Sequence, residues 1–436
     1  MTQQSETAAS KAPDPADRGS GAPSAGIQSE PAHVRAAPAH PDPYPFYARL
    51  VSGEPIYREG TDGPWIAVSA AATNAVLTSP LCLTRPMINR VPEPLIGTSV
   101  AEIFGRLVRM NDGEIHCPLK STVVAALEDL SQRRVSDVTN SLAKELAAIL
   151  RPEEDLERLN QFVAALPTQV IMSLLGVPCD SFSDVSRWMA DYGAAATAAA
   201  TGVPELTPAV LQAGADSSSQ LLDLFGAMLA ALPDDDSSLL AMLSRQAGRS
   251  RQLDAGMLVA NGIGLMAQGF AGTAALIGSS LVALARHRKA AVAVHGDRAL
   301  LGAFVQEVLR FDPITHSTLR FVACDGVVAG QAMRANDMVI VTLAAASRDP
   351  ALNPEPDRFE LFRDDRRSME FGGGVHACPS ALLATTIAEI GLGHLLDRGI
   401  VCDGLQNRVS YRPSAHVRLP VFGDSSHQRV DPASRC

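Results

Sequence analysis

The sequence predicts a mainly α-helical domain with a small β portion, and three observations carry that prediction. Leu and Ala recur at i, i+3 and i+4 from about Thr122 to Leu284, the spacing that lines one face of a helix. The segment Ala255–Ala285 contains no Asp, Glu, Lys or Arg, as expected of a helix buried in a core. Strand character is confined to short runs at Trp65–Val68, Phe321–Ala329 and Met338–Leu343, where β-branched residues gather.

Taken in chain order, residues 1–40 are rich in Ala, Pro, Ser and Asp and almost lack large apolar side chains, which predicts a disordered tail. PDPYPFYARL, from Pro41, opens the ordered domain, expected to span 41–424 and to leave a short tail at 425–436. A helix is predicted over Ala70–Thr78. In the long helical region, Pro167 and Gly176–Pro178 read as interruptions. The last long helix is predicted from Pro379 to Leu396. No internal repeat or linker divides the chain, so a single domain is expected.

The composition excludes several classes of function. Hydrophobic residues make up 46% of the 436 and charged residues 19%, a globular balance. A net charge of -10 argues against nucleic acid, whose phosphates demand clustered cations. The seven cysteines are scattered, with no CxxC pair, so neither a disulfide framework nor a zinc site is expected. A reducing, cytoplasmic location follows, and no secretory signal is read in the tail. Ala255–Ala285 is long enough to span a bilayer. Its Asn261, Gln268, Thr273, Ser279 and Ser280, and the lack of flanking aromatic belts, favour a buried helix of a soluble protein over a membrane span.

FGGGVHACPS, residues 371–380, concentrates the chemistry. Its glycines let the backbone approach a bulky ligand closely. Cys378 stands just ahead of the last helix, with Pro379 suited to the first helical position. There the helix dipole and free N–H groups favour a thiolate, which serves as a nucleophile or as a metal ligand. His376 is the one base at hand for a nucleophile, and no third group orients it.

Phe371, Gly372, Gly374, His376 and Cys378 match F-G-x-G-x-H-x-C, and the chain thereby resembles the cytochrome P-450 superfamily in its soluble bacterial form. The resemblance spans about Pro41 to Val421 and implies a single-domain P-450 fold, heme b as cofactor and Cys378 as the proximal iron ligand. It departs at Ser380, where the family usually has glycine. Glu307 and Arg310 resemble the family's E-x-x-R, and PDRF supplies Arg358; the three are expected to form a buried structural network. For the heme propionates the resemblance implies His116, Lys120, Arg320 and His376.

The oxygen side matches less well. Aligned on LIGSS, QGFAGT lies over the family's A-G-x-D/E-T, so the acid position is Ala271 and the threonine position Gly272. Thr273 follows one residue later, about 100° round the helix. Gln268, Ala271, Gly272 and Thr273 are therefore the candidate catalytic positions, with Phe270 and Ala271 expected in the pocket wall together with the stretch Met87–Val100. Two chemistries stay open. One is conventional oxidation of a small apolar or aromatic secondary metabolite, with protons delivered through Thr273, Gln268 or water. The other uses peroxide or a pre-oxidised substrate for rearrangement, C–N bond formation or cyclisation. Electrons, where needed, would come from a separate ferredoxin and reductase, with Arg363, Arg366 and Arg367 as a docking patch. A heme-based sensor or carrier is the rival class.

Overall fold

The structure is a computed structural model and describes residues 30–202, 204–249 and 253–423. The expected tails at residues 1–29 and 424–436 lie outside the described residues. Order begins earlier than Pro41. Val34 and Ala37 are core residues, and the buried Arg418 donates to the carbonyl oxygens of Pro38, His40 and Pro41.

Helices dominate the described residues, and local sequence sets their ends. Ser69 accepts from Ala72 N to start Ala70–Thr78, Ser131 from Arg134 N, Thr207 from Val210 N, and Asp254 from Met257 N. Gly176, at φ +86°, closes Leu156–Leu175. Pro167 does not interrupt that helix but lies within it. The Pro costs one backbone bond. Phe162, Leu166, Val170 and Leu174 are buried on both sides of it, and their packing holds the helix straight through.

The charge-free segment forms the central helix Ala255–Arg286, 32 residues long. By length and hydropathy it could cross a membrane. Instead, every residue from Ala275 to Leu284 is buried, so the helix is enclosed by protein on all faces there.

The β portion is one five-stranded sheet and two hairpins among the described residues. The sheet order is Ile56–Arg58, Trp65–Ala67, Met338–Val341, Thr318–Val322, Cys82–Leu83. Trp65–Ala67 pairs parallel with Met338–Val341, and the other neighbours are antiparallel. The single strand expected over Phe321–Ala329 is two, Thr318–Val322 and Gly326–Val328. The break falls at Asp325, whose carboxylate accepts from Ala335 N and fixes a turn. This sheet carries Thr318 and Arg320 to the edge of the site described next.

Candidate active site

Backbone geometry fixes the loop Phe371–Ser380. Gly372 and Gly374 take φ +67° and +64°, where a side chain is strained. A Cβ on Gly374 would also lie 2.5 Å from the carbonyl oxygen of Leu77. The Cys378 N–H donates to Phe371 O at 2.9 Å and closes the loop. The following helix, Ala381–Asp397, starts two residues beyond the expected Pro379, because Ser380 stays non-helical (φ -106°, ψ 21°) as its N-cap. The Cys378 thiol is exposed, 3.5 Å from the Ser380 hydroxyl.

Basic side chains gather beside this loop. Lys120 Nζ donates to Ala377 O at 2.5 Å, one residue from the thiol. The His116 and His376 rings lie 4.1 Å apart. His376 Nε2 is 2.9 Å from Asp112 Oδ1, and Thr84 donates to the same carboxylate through N and Oγ1. Burial pushes Asp112 up, but the hydrogen bonds from His376 and Thr84 outweigh it and hold its pKa below the ordinary value. His116 is buried and its Nε2 has no partner among the described residues. Burial, then the charges of His376 and Lys120, push its pKa down to about 4. Arg320 is also buried, donating to Leu319 O at 2.8 Å and Thr318 Oγ1 at 3.3 Å.

One cavity joins this loop to the central helix. Phe371, Gly372, His376 and Cys378 line it from the loop, and Gln268, Gly269, Gly272 and Thr273 from the helix. The helical stripe is 265, 268, 269, 272, 273 and 276, the i, i+3, i+4 face. Phe270 and Ala271 fall off it: Phe270 packs on the core and Ala271 is exposed, so neither forms the expected pocket wall. Ala271 thus has no contact with the space in which chemistry would occur. Nor does Met87–Val100 line this cavity: Met87 and Ile88 face outward, and Leu95 and Val100 belong to the core. Gly272 faces open space, with nothing within 4 Å of an added Cβ. Thr273 is 2% exposed and its hydroxyl has no hydrogen-bond partner among the described residues. Gln268 Nε2 donates to Gly264 O at 2.9 Å.

The Glu307 network is buried, with a different third member. Arg310 and Glu307 are both fully buried and pair bidentately at 2.7 and 3.0 Å. Arg366 Nε, not Arg358, donates to Glu307 at 2.9 Å, and Arg363 Nε lies 3.7 Å away. Arg358 contributes only its carbonyl oxygen, to Arg310 Nη2; its side chain, 61% exposed, pairs with Glu360 and Glu355. The expected docking patch falls with the same observation. Arg363 and Arg366 turn inward to Glu307, and the exposed Arg367 is paired with Asp365.

Comparison with known proteins agrees with this architecture. The family model described as cytochrome P-450 matches residues 231–398. A vitamin D(3) 25-hydroxylase of Pseudonocardia autotrophica is 29% identical over 391 residues, 86% of this chain and 92% of that protein. Cytochrome P-450 107B1 of Saccharopolyspora erythraea is 30% identical over 302 residues, 65% of this chain and 67% of that one. The chain belongs to the cytochrome P-450 family. The crystal structure of CalO2 shares the fold with a TM-score of 0.76 at 26% identity, covering 88% of this chain and 96% of its own.

A P-450 carries heme b, and the residues here fit it. An orphaned buried imidazole nitrogen on His116, beside His376, Lys120 and Arg320, is the donor set that two propionates require. The accessible thiol of Cys378 opens onto the same cavity. Sequence reasoning missed Glu370. This buried carboxyl lines the cavity, accepts from Thr315 N and Oγ1 at 2.8–3.1 Å, and is pushed up to about 7, chiefly by burial. Its only signal in the sequence was an acid directly ahead of Phe371.

Proposed function

We propose that this P-450 oxidises a small, largely apolar secondary metabolite, with Cys378 as the proximal iron ligand. One observation carries the reading: Cys378 and the free hydroxyl of Thr273 line the same cavity. Heme bound there supplies the oxidising chemistry, sharpened by electron donation from the thiolate.

The chain's own residues do the rest. The closed Gly-rich loop holds Cys378 in place, and His116, Lys120, Arg320 and His376 bind the propionates. Val108, Leu265 and Leu276 make an apolar wall that limits water. Thr273 Oγ1 holds and passes a proton, with Gln268 next to it on the stripe. Electrons are taken from a separate ferredoxin and its reductase. The six described cysteines are all free, in keeping with a reducing cytoplasm.

Carbon monoxide added to the reduced protein tests the ligand. The long-wavelength Soret band of thiolate-ligated heme is expected in the parent. It should vanish in Cys378→Ala and survive in Cys117→Ala and Cys324→Ala, whose thiols are also exposed. A band that persists in Cys378→Ala would overturn the assignment. A second reading, chemistry that does not begin from dioxygen, is favoured by one observation: Gly272 presents no hydroxyl to the cavity.

A further inference from the structure

The inference concerns the substrate and rests on the proposed reading of this cavity. Four ionisable side chains line it: Arg320, Glu370, His376 and Cys378. Heme accounts for three of them, the thiol as iron ligand and the two bases at the propionates. Glu370 is left without a role.

Its position is fixed from both sides. Ser368 Oγ donates to Leu309 O at 2.8 Å and accepts from Glu370 N at 3.1 Å, while Ser347 Oγ accepts from Met369 N at 2.9 Å. Gly372 N donates to Met369 O at 2.9 Å. The facing segment is held as firmly: His316 N donates to His416 O at 2.7 Å, and Arg418 N to Ile314 O at 2.8 Å. Between the two, the Glu370 carboxylate accepts from Thr315 N at 2.9 and 3.1 Å and from Thr315 Oγ1 at 2.8 Å. The carboxylate is a built part of the cavity wall.

Those partners donate, and donated bonds favour the ionised form. What they do not supply is charge. Among the described residues Glu370 has no ion pair, and the charge that bears on it is Asp312, itself an acid and already paired with Arg418 at 3.0 Å. Glu370 is only 8% exposed, yet it lines the cavity, together with the apolar Leu309, Ile314 and Leu343. Holding Thr315 in place requires an acceptor and not a charge, so a glutamine would serve that purpose alone.

A buried carboxylate without a counter-ion is unfavourable. We propose that Glu370 is a substrate anchor that pairs with a positively charged nitrogen carried by the substrate. A protonated amine supplies both the missing charge and a donor, the stronger kind of hydrogen bond. The substrate is then an apolar amine: its cationic end meets Glu370, and its body meets the wall of Val108, Leu265 and Leu276.

The test uses heme-loaded protein and three probes of one chain length: octyltrimethylammonium, octanol and octanoate. The ammonium probe carries the charge but no lone pair, so it cannot ligate iron. Binding is read by Soret titration and by calorimetry at about pH 8, above the value of about 7 to which burial raises Glu370. Octyltrimethylammonium should bind at least about tenfold more tightly than octanol, and octanoate more weakly than either. Glu370→Gln keeps an acceptor for Thr315; it should remove the preference, leave octanol within about twofold, and retain the carbon monoxide band of the parent. Glu370→Asp withdraws the charge by one methylene and should reduce the preference without abolishing it. Equal binding of octyltrimethylammonium and octanol to a parent that shows the thiolate band would overturn the anchor and leave the heme reading intact. A calorimetric preference that Glu370→Gln removes, in protein lacking that band, would do the reverse. A preference that survives Glu370→Gln, or tighter binding of octanoate than of the ammonium probe, would overturn Glu370 as the anchor.

Discussion

Ser380 puts a hydroxyl 3.5 Å from the Cys378 sulfur, at the position where the resemblance implied a glycine. Once the sulfur is a thiolate, that hydroxyl is the donor, and a donated hydrogen bond withdraws charge from the ligand. Ser380→Ala should therefore lower the ferric/ferrous reduction potential, read by spectroelectrochemistry; an unchanged or raised potential would show that no such bond forms. On the central helix, Thr273→Ala should uncouple NADPH consumption from product, about tenfold for each 1.4 kcal/mol lost in proton delivery. Gly272→Thr meets open space and should fold normally. If Thr273→Ala leaves coupling intact, the hydroxyl is not the proton route and chemistry that does not begin from dioxygen gains. The five fixed positions of the thiol loop were legible in the sequence because they lie within eight residues of one another. Glu370 was not, since it gains meaning only from a partner far along the chain, Thr315.

At the scale of elements, Glu307 ties the helix Leu301–Phe311 to the loop 354–368. One carboxylate accepts from Arg310, Arg366 and the Glu360 N–H. Burial pushes its pKa up, and the bonds from Arg310 and Glu360 outweigh that and hold it low. Glu307→Ala strands a fully buried Arg310, a loss of about 3–5 kcal/mol, and should yield little folded holoprotein. Arg366→Ala should also destabilise, whereas Arg358→Ala, at an exposed side chain, should stay within about 0.5 kcal/mol in urea titrations. The reverse order would restore Arg358 to the network. The i, i+3 spacing of Glu307 and Arg310 is local and could be read directly. The third arginine depends on the path of an irregular loop, which has no periodicity to read. Pro167 makes the same point for helices, because packing overrode a local breaking signal.

Across the whole molecule, buried histidines make stability depend on acid. His316 accepts or donates to Tyr47 Oη at 2.8 Å, within a buried cluster where Arg418 pairs with Asp312 and Tyr44 hydrogen-bonds to Asp312. That cluster joins the helix Tyr44–Val51, the loop after Phe311 and the segment between the strands Val409–Tyr411 and Pro420–Phe422. His287 stacks on Phe359 at 4.2 Å, away from the cavity. Burial chiefly depresses both, His287 to about 4 and His316 to about 3. Between those values and the unfolded value of about 6.5, the unfolded chain binds protons that the fold refuses. The histidines' contribution to stability should therefore be complete above about pH 6.5 and fall as the pH drops toward 4, by up to about 1.4 kcal/mol per pH unit for each histidine. Glu370 opposes this, because its raised pKa makes the fold take up a proton below about 7 and offsets part of the loss. His287→Phe isolates the effect, since it preserves the ring stack and removes one titrating group. Urea unfolding of the heme-loaded parent and variant from pH 7.5 to 4.5 should give curves that converge or cross in the variant's favour as the pH falls. Parallel curves over that range would mean that His287 is protonated in the fold as readily as outside it.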